Sequence, residues 1–139
     1  MNAPLNAQQV FDKVLTHLRK QEHAAVNGGG CVYRAPNGDM CAFGCLIPNE
    51  LYAPVMEGIS ASVLLDQTEW NSAESARYRN TLPGHDARLR ALFADSVPIA
   101  LISELQRAHD GALKNYGMPR WEREMREIAE RYTLSYTAP

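Results

Sequence analysis

Residues 31–46 read CVYRAPNGDMCAFGCL, and this stretch decides the fold. Two short runs, Cys31 to Arg34 and Met40 to Phe43, flank the pair Asn37-Gly38. An Asn-Gly pair between apolar runs is the strongest short-range signal for a β-hairpin, because both residues tolerate the positive φ values of a tight turn. We therefore expect an antiparallel hairpin between Cys31 and Leu46.

Helical periodicity dominates the chain on both sides of this hairpin. Asn6 is a suitable N-cap for a first helix that should end near His23, before the run Asn27–Gly30. A long helix is expected from about Ser96 or Pro98 to Tyr116, and a last helix follows Pro119. Their apolar stripes are formed by Val10, Phe11, Val14, Leu15 and Leu18, by Leu101, Ile102, Leu105, Ala108, Ala112 and Leu113, and by Trp121, Met125, Ile128, Ala129 and Tyr132.

Weaker signals predict several shorter elements. They are a short helix at Pro48–Leu51, a helix capped by Ser60 that carries Val63, Leu64 and Trp70, a helix or loop over 71–80 with Asn71 and Glu74 at capping-box spacing, a helix from about Asp86, and a strand in which Tyr132, Leu134 and Tyr136 share a face. The fold class is α+β. We expect a mainly helical single domain, residues 1–139, packed around a two- or three-stranded antiparallel β-hairpin sheet.

Composition excludes several classes of protein. The 139 residues are 45% hydrophobic and 22% charged, which is typical of a globular domain. A net charge of −2 supplies no general attraction to nucleic acid. The sequence shows neither a signal-peptide pattern nor a run of roughly 18 apolar residues, so we expect a cytoplasmic protein without a membrane span. Three cysteines in such a chain indicate reduced thiols.

A zinc site is one interpretation of the cysteines. Cys31, Cys41 and Cys45 could be joined by a fourth ligand from His23, His85 or His109. The tight C-x2-C spacing that is typical of structural zinc sites is missing. Packing of small thiols beneath the hairpin is the alternative, and we expect no cofactor.

A second hypothesis is a small Cys/His-dependent hydrolase or transferase. In it Cys45 is the nucleophile, activated by the start of the helix at Pro48 and paired with His109. Asp110 is the acid that would orient the imidazole, but consecutive residues of an α-helix point about 100° apart, so we expect no direct contact between Asp110 and His109.

The third and favoured hypothesis is a binding surface. It combines Tyr33 and Arg34 of the hairpin, the acidic turn at Glu57, and the helical turn from Gln106 to Asp110 that includes His109; Cys45 is grouped with it. Aromatic and arginine side chains on a rigid element are common in recognition sites. The alternative is that Tyr33 packs in the core and the stem of Arg34 covers it.

Four motifs resemble those of a group of short proteins encoded by bacteriophages and prophages of proteobacteria. They are Cys31-Val-Tyr-Arg, Cys41-Ala-Phe-Gly-Cys-Leu-Ile-Pro, Met56-Glu-Gly and Leu105-Gln-Arg-Ala-His-Asp, and Asn37-Gly38 and Tyr52 lie between them. The resemblance implies an accessory protein that binds a host protein or a small-molecule ligand, as inhibitors of host defence do. A looser likeness is to small bacterial domains that have Ala at the position of Cys45. The oligomeric state stays open.

Overall fold

The computed structural model describes residues 3–66 and 72–139 and has a mainly helical α+β fold with a two-stranded antiparallel sheet. Within this described part of the chain, no helix combines the length and the apolar composition that a bilayer span needs. The elements are α1 (Ala7–Gln21), β1 (Val26–Asn27), β2 (Gly30–Cys31), 3-10 turns at Gly44–Leu46 and Pro54–Met56, α2 (Ala61–Leu65), α3 (Ala73–Thr81), α4 (His85–Arg90), α5 (Ile99–Ala108), a π-helical segment (His109–Leu113), α6 (Lys114–Tyr116) and α7 (Met118–Arg131).

The three helices with the strongest periodicity form where the sequence predicts them. A capping box starts α1, in which the side chain of Asn6 accepts from the Gln9 amide and the side chain of Gln9 accepts from the Asn6 amide. The run from Ile99 to Tyr116 is continuously helical, and Gly117, with a φ of 92°, separates it from α7. Helix α5 packs against α1, α2 and α7, so its buried stripe forms the centre of the core.

The β-hairpin lies earlier in the chain than the sequence predicts. Val26 pairs with Cys31 and Asn27 pairs with Gly30, while Gly28 and Gly29 form the turn with φ values of 63° and 86°. A type I′ hairpin turn needs positive φ at both central residues, and two consecutive glycines meet that need without steric cost. The predicted Asn37-Gly38 hairpin is reduced to a single antiparallel bridge.

The segment after Met40 leaves the extended conformation because it packs against the backbone at Tyr33. The Cys41 amide donates to the Tyr33 carbonyl, and the chain then turns into the 3-10 helix at Gly44–Leu46. A Cβ atom at Gly44 would lie 2.1 Å from the Tyr33 carbonyl oxygen. The absence of a side chain at Gly44 is therefore what allows this close approach.

Three of the shorter predicted elements are wrong or shifted. Pro48 starts a hydrogen-bonded turn and no helix. The strand predicted in the tail does not form, and the backbone of Ser135 instead pairs with the side-chain amide of Gln8. A capping box of Ser72 and Ser75 starts α3, where Asn71 and Glu74 were expected.

The other short elements agree with the sequence where they are described. Ser60 caps α2, and α4 begins at His85, one residue before the expected start. Trp70 and Asn71 lie outside the described residues.

Candidate functional site

An open cleft of about 610 Å³ lies between three segments of the chain. Residues 31–33 form its hairpin wall, and the segment from Glu57 to Ser62, which ends in the first residues of α2, forms its loop wall. The helix wall is formed by Ser103, Gln106, Arg107, Asp110 and Gly111. These positions follow the i, i+3, i+4, i+7, i+8 spacing, so they are one face of the helix, beside the apolar face that enters the core.

The loop wall is attached to the hairpin wall by hydrogen bonds in both directions. The Glu57 carboxylate accepts from the amides of Tyr33 and Arg34 at 2.9 and 3.1 Å. It also accepts from the Tyr52 hydroxyl at 2.8 Å. In return, the buried Tyr33 hydroxyl donates to the Ile59 carbonyl. The carboxylate and the ring are therefore held in place before any ligand arrives.

The helix wall is fixed through Gln106 and His109. The side-chain oxygen of Gln106 accepts from the Phe43 amide at 2.8 Å, and its side-chain NH₂ donates to Asp110 Oδ1 at 2.9 Å. His109 Nδ1 lies 2.8 Å from the same Asp110 oxygen, and His109 Nε2 lies 2.9 Å from the Ala25 amide nitrogen. One oxygen of the Asp110 carboxylate thus receives two protein donors.

The contact between Asp110 and His109 corrects the sequence-based expectation that adjacent residues cannot meet. Both lie in the π-helical segment, where the i→i+5 hydrogen bonds replace the α-helical pattern and change the angle between consecutive side chains. π-helical turns inside α-helices are frequent at functional sites. The irregular turn therefore coincides with the wall of the cleft.

The protonation of His109 follows from its partners. The Ala25 amide can only donate, so Nε2 is the acceptor and the ring proton lies on Nδ1, directed at Asp110. His109 is fully buried, and both of its nitrogens are engaged. Its role is to position Asp110, since the lone pair that a general base needs is already occupied.

The thiol beside this pair belongs to Cys31 and not to Cys45. Candidate ligand atoms of Cys31, His109 and Asp110 all lie within 4.8 Å of one another. Cys45 is buried in the 3-10 turn, where its thiol donates to the Ala42 carbonyl at 3.1 Å. Burial raises the pKa of Cys45 to about 12, and there is no helix at Pro48 to lower it.

Zinc binding by the predicted ligands does not fit these contacts. Cys41 is buried and its sulfur accepts from the Gly44 amide, while His85 is held between the Tyr78 hydroxyl and the Leu51 carbonyl. In the Cys31 cluster, a metal would need the Nδ1 lone pair of His109. The Ala25 amide keeps the proton on that nitrogen, so the imidazole is in the wrong tautomer for a metal at this position.

Three of the predicted binding residues do not line the cleft, namely His109, which lies behind Asp110, and Arg34 and Cys45. Arg34 stacks over the Tyr52 ring at 4.9 Å, and its guanidinium donates to the Ile47 carbonyl and to Asn49. Through these contacts Arg34 stabilises the turn that follows Leu46. Together with Cys45, it does not line the cleft.

Cys31 and Ser103 line the cleft but were not assigned to the binding site from the sequence, and Arg107 lies within the predicted turn without having been named as a site residue. Ser103 and Arg107 carry a signal, since they continue the polar face of Gln106 and Asp110 at helical spacing. Ser103 Oγ is buried and has no hydrogen-bond partner among the described residues. Cys31 enters the cleft through its pairing with Val26, which local patterns did not predict.

Alkylation of Cys31 distinguishes an activated thiol from an inert one. Burial, and then the negative charge of Asp110, raise the pKa of Cys31 to about 11. A pKa shift of about two units lowers the thiolate fraction near pH 8 roughly a hundredfold. A more basic thiolate is also more nucleophilic, which raises the rate constant of each thiolate about tenfold and offsets part of this loss. We expect iodoacetamide to react with Cys31 roughly tenfold more slowly than with N-acetylcysteine amide, measured by mass spectrometry. A faster reaction than that of the model thiol would favour the enzyme hypothesis.

No protein-family model, curated protein or solved structure matches this chain.

Proposed function

We propose that this protein is a phage-type accessory protein that acts by binding a small ligand of the host cell in the cleft. The observation that carries the proposal is the cleft itself, in which Tyr33, Glu57, Gln106 and Asp110 come together from three segments. Its volume of about 610 Å³ lies within the roughly 300–1,000 Å³ of most small-molecule sites. Fixed polar groups on a concave surface are what such sites use for orientation and specificity.

A small ligand is favoured over a host protein by the shape of the site. The cleft is concave, whereas protein interfaces are usually flatter and larger. Its three walls come from separate segments of the chain and enclose a volume suited to a small molecule.

Binding is favoured over catalysis by the state of the candidate catalytic groups. Thiolate is the nucleophilic form of cysteine, and the raised pKa of Cys31 disfavours it. The lone pair of His109 that could accept the thiol proton is bonded to the Ala25 amide. A Cys/His-dependent hydrolase or transferase would need a thiol that ionises readily and a histidine whose lone pair is free to accept the thiol proton.

The phage-type role rests on the resemblance of the strings around Cys41 and Leu105 to phage and prophage proteins. Proteins of that kind commonly act on components of the host, including its defence systems, so we place the ligand in the bacterial cytoplasm. A small molecule on which a host defence pathway depends would be consistent with a phage-type role and with the size of the cleft.

Recovery of a ligand from host extract tests this function. The purified protein is equilibrated with the low-molecular-mass fraction of a bacterial lysate, re-isolated and denatured, and the released compounds are identified by mass spectrometry. A Cβ at Gly111, which lines the cleft, or at Gly30, which does not, meets no atom within 4 Å. Gly111→Phe should therefore block the cleft, with Gly30→Phe as the matched control.

We expect a compound that is recovered with the wild type and with Gly30→Phe but is reduced at least tenfold with Gly111→Phe. Equal recovery with all three proteins would contradict the proposed site. Recovery of no compound from lysates of infected and uninfected cells would contradict the small-ligand function.

A further inference from the structure

We propose that the ligand of the cleft is a small organic cation whose amine, amidinium or guanidinium group binds the Asp110 carboxylate. This inference rests on the proposed function and specifies the chemical class of its ligand. Four features of the described residues carry it: the unpaired acidic charge of the cleft, the fixed orientation of Asp110, the surroundings of Arg107 and the apolar surface beside the carboxylates.

The cleft holds two carboxylates that form no ion pair with a lysine or arginine of the described residues. Glu57 is satisfied by two backbone amides and the Tyr52 hydroxyl, which are neutral donors. Asp110 is satisfied by the Gln106 amide and by His109, which is neutral in the tautomer fixed by Ala25. The two negative charges therefore remain uncompensated by a direct cationic partner.

Asp110 is the better placed of the two for contact with a ligand. Its side chain is 44% exposed, Gln106 and His109 both approach Oδ1, and the Cys31 thiol is a further hydrogen-bonding neighbour of the carboxylate. A carboxylate can accept about four hydrogen bonds over its two oxygens, so acceptor capacity is left for a ligand. Because Gln106 and His109 fix the orientation, the ligand does not have to order this side chain.

Arg107 is the one cationic side chain among the described residues that line the cleft, and it also lines a second groove. That groove of about 190 Å³ lies between α5 and α7 and is lined by Arg107 and Arg131 with three glutamates, Glu104, Glu124 and Glu127. Arg131 is engaged with Glu104. The charged side chains that line the cleft among the described residues are therefore two carboxylates, Glu57 and Asp110, and one cation, Arg107, so the lining keeps a negative balance.

The pKa of the buried Tyr33 is consistent with this negative balance. Burial raises the pKa of Tyr33, and the negative charges of Glu57 and Asp110 raise it further. The field at the hairpin wall therefore favours positive charge. The apolar surface of Val32, Ile59 and Ala61 beside these carboxylates suits a ligand with a hydrocarbon or aromatic body and a cationic end.

Three planar probes of nearly equal shape test the charge of the ligand. Benzamidinium, benzamide and benzoate carry charges of +1, 0 and −1 on the same phenyl body. Each is titrated into the ¹⁵N-labelled full-length protein, and amide shifts of residues 31–33, 57–62 and 103–111 give the dissociation constants. We expect benzamidinium to bind at least tenfold more tightly than benzamide, with benzoate the weakest.

Two variants assign the preference to Asp110. Asp110→Asn keeps an oxygen that accepts from Gln106 and His109 but removes the charge, and it should abolish the preference for benzamidinium. Glu130→Gln removes an equal charge from an exposed position of α7 outside the cleft, and it should leave the preference unchanged. Thermal melts verify that both variants are folded.

The possible outcomes separate this inference from the proposed function. Tighter cleft binding of benzamide or benzoate than of benzamidinium overturns the cation and leaves ligand binding in place. A preference for benzamidinium that survives in Asp110→Asn overturns the role of Asp110. If no probe shifts the cleft amides, the inference fails, while a ligand recovered from lysate in a cleft-dependent manner still supports the function.

Discussion

Replacing Gly44 with alanine is expected to lower the free energy of unfolding by roughly 3 kcal/mol or to prevent folding, because overpacking against a rigid backbone is costly. The added Cβ would lie 2.1 Å from the carbonyl oxygen of Tyr33 and 2.9 Å from its carbonyl carbon. Those atoms belong to the main chain and cannot move as a flexible side chain does. Relief would require shifting residues 33 and 44 apart, which would break the Cys41 to Tyr33 hydrogen bond.

Urea denaturation followed by circular dichroism measures this loss. Gly30→Ala is the matched control, since its Cβ meets nothing within 4 Å and Gly30 has no positive φ. It should change the free energy of unfolding by less than about 0.5 kcal/mol, as most surface substitutions do. A Gly44→Ala protein as stable as the wild type would show that the close approach at Tyr33 is absent.

Replacing His109 with leucine is expected to cost roughly 3 kcal/mol, since buried groups lose their partners. The substitution keeps a similar apolar volume but leaves the Ala25 amide without its acceptor, and Asp110 loses a donor. Burial of an unsatisfied amide is the larger part of the cost. Ligand binding should weaken as well, because Asp110 is then free to change its orientation.

His23→Leu is the control for this substitution. The side chain of His23 is 61% exposed and contacts Asp39 at the surface, so its loss should change stability by less than about 0.5 kcal/mol. Equal effects of the two substitutions in urea denaturation would contradict the buried role of His109. Slower amide hydrogen exchange at Ala25 in the wild type than in His109→Leu would give independent support.

The strongly periodic helices were predictable because their signals are local. Asn6 and Gln9 form a capping box, and the apolar stripes of α1, α5 and α7 point to a common core. The hairpin was misplaced because two turn signals lie close together in the sequence. The hairpin turn forms at Gly28-Gly29 and not at Asn37-Gly38. The segment after Met40 is not extended, because Gly44 packs closely against the backbone of Tyr33.

The candidate site was predictable in part, because some of its residues follow a local helical pattern. Gln106 and Asp110 share a helical face, and the structure places both in one cleft with Tyr33 and Glu57. Arg34 and Cys45 do not line this cleft, because their side chains are directed at local backbone carbonyls, and their role in binding stays a prediction. The pairing of Ala25 with His109 spans 84 residues, and no local pattern encodes a contact of that kind.

Chemical-shift mapping with the ligand recovered from host extract tests the central claim most directly, namely that the cleft is a preformed recognition site. We predict that the amides that shift most are those of residues 31–33, 57–62 and 103–111, and that the helix wall shifts without loss of helical structure. Shifts confined to another surface, such as the groove between α5 and α7 around Glu124 and Glu127, would contradict it.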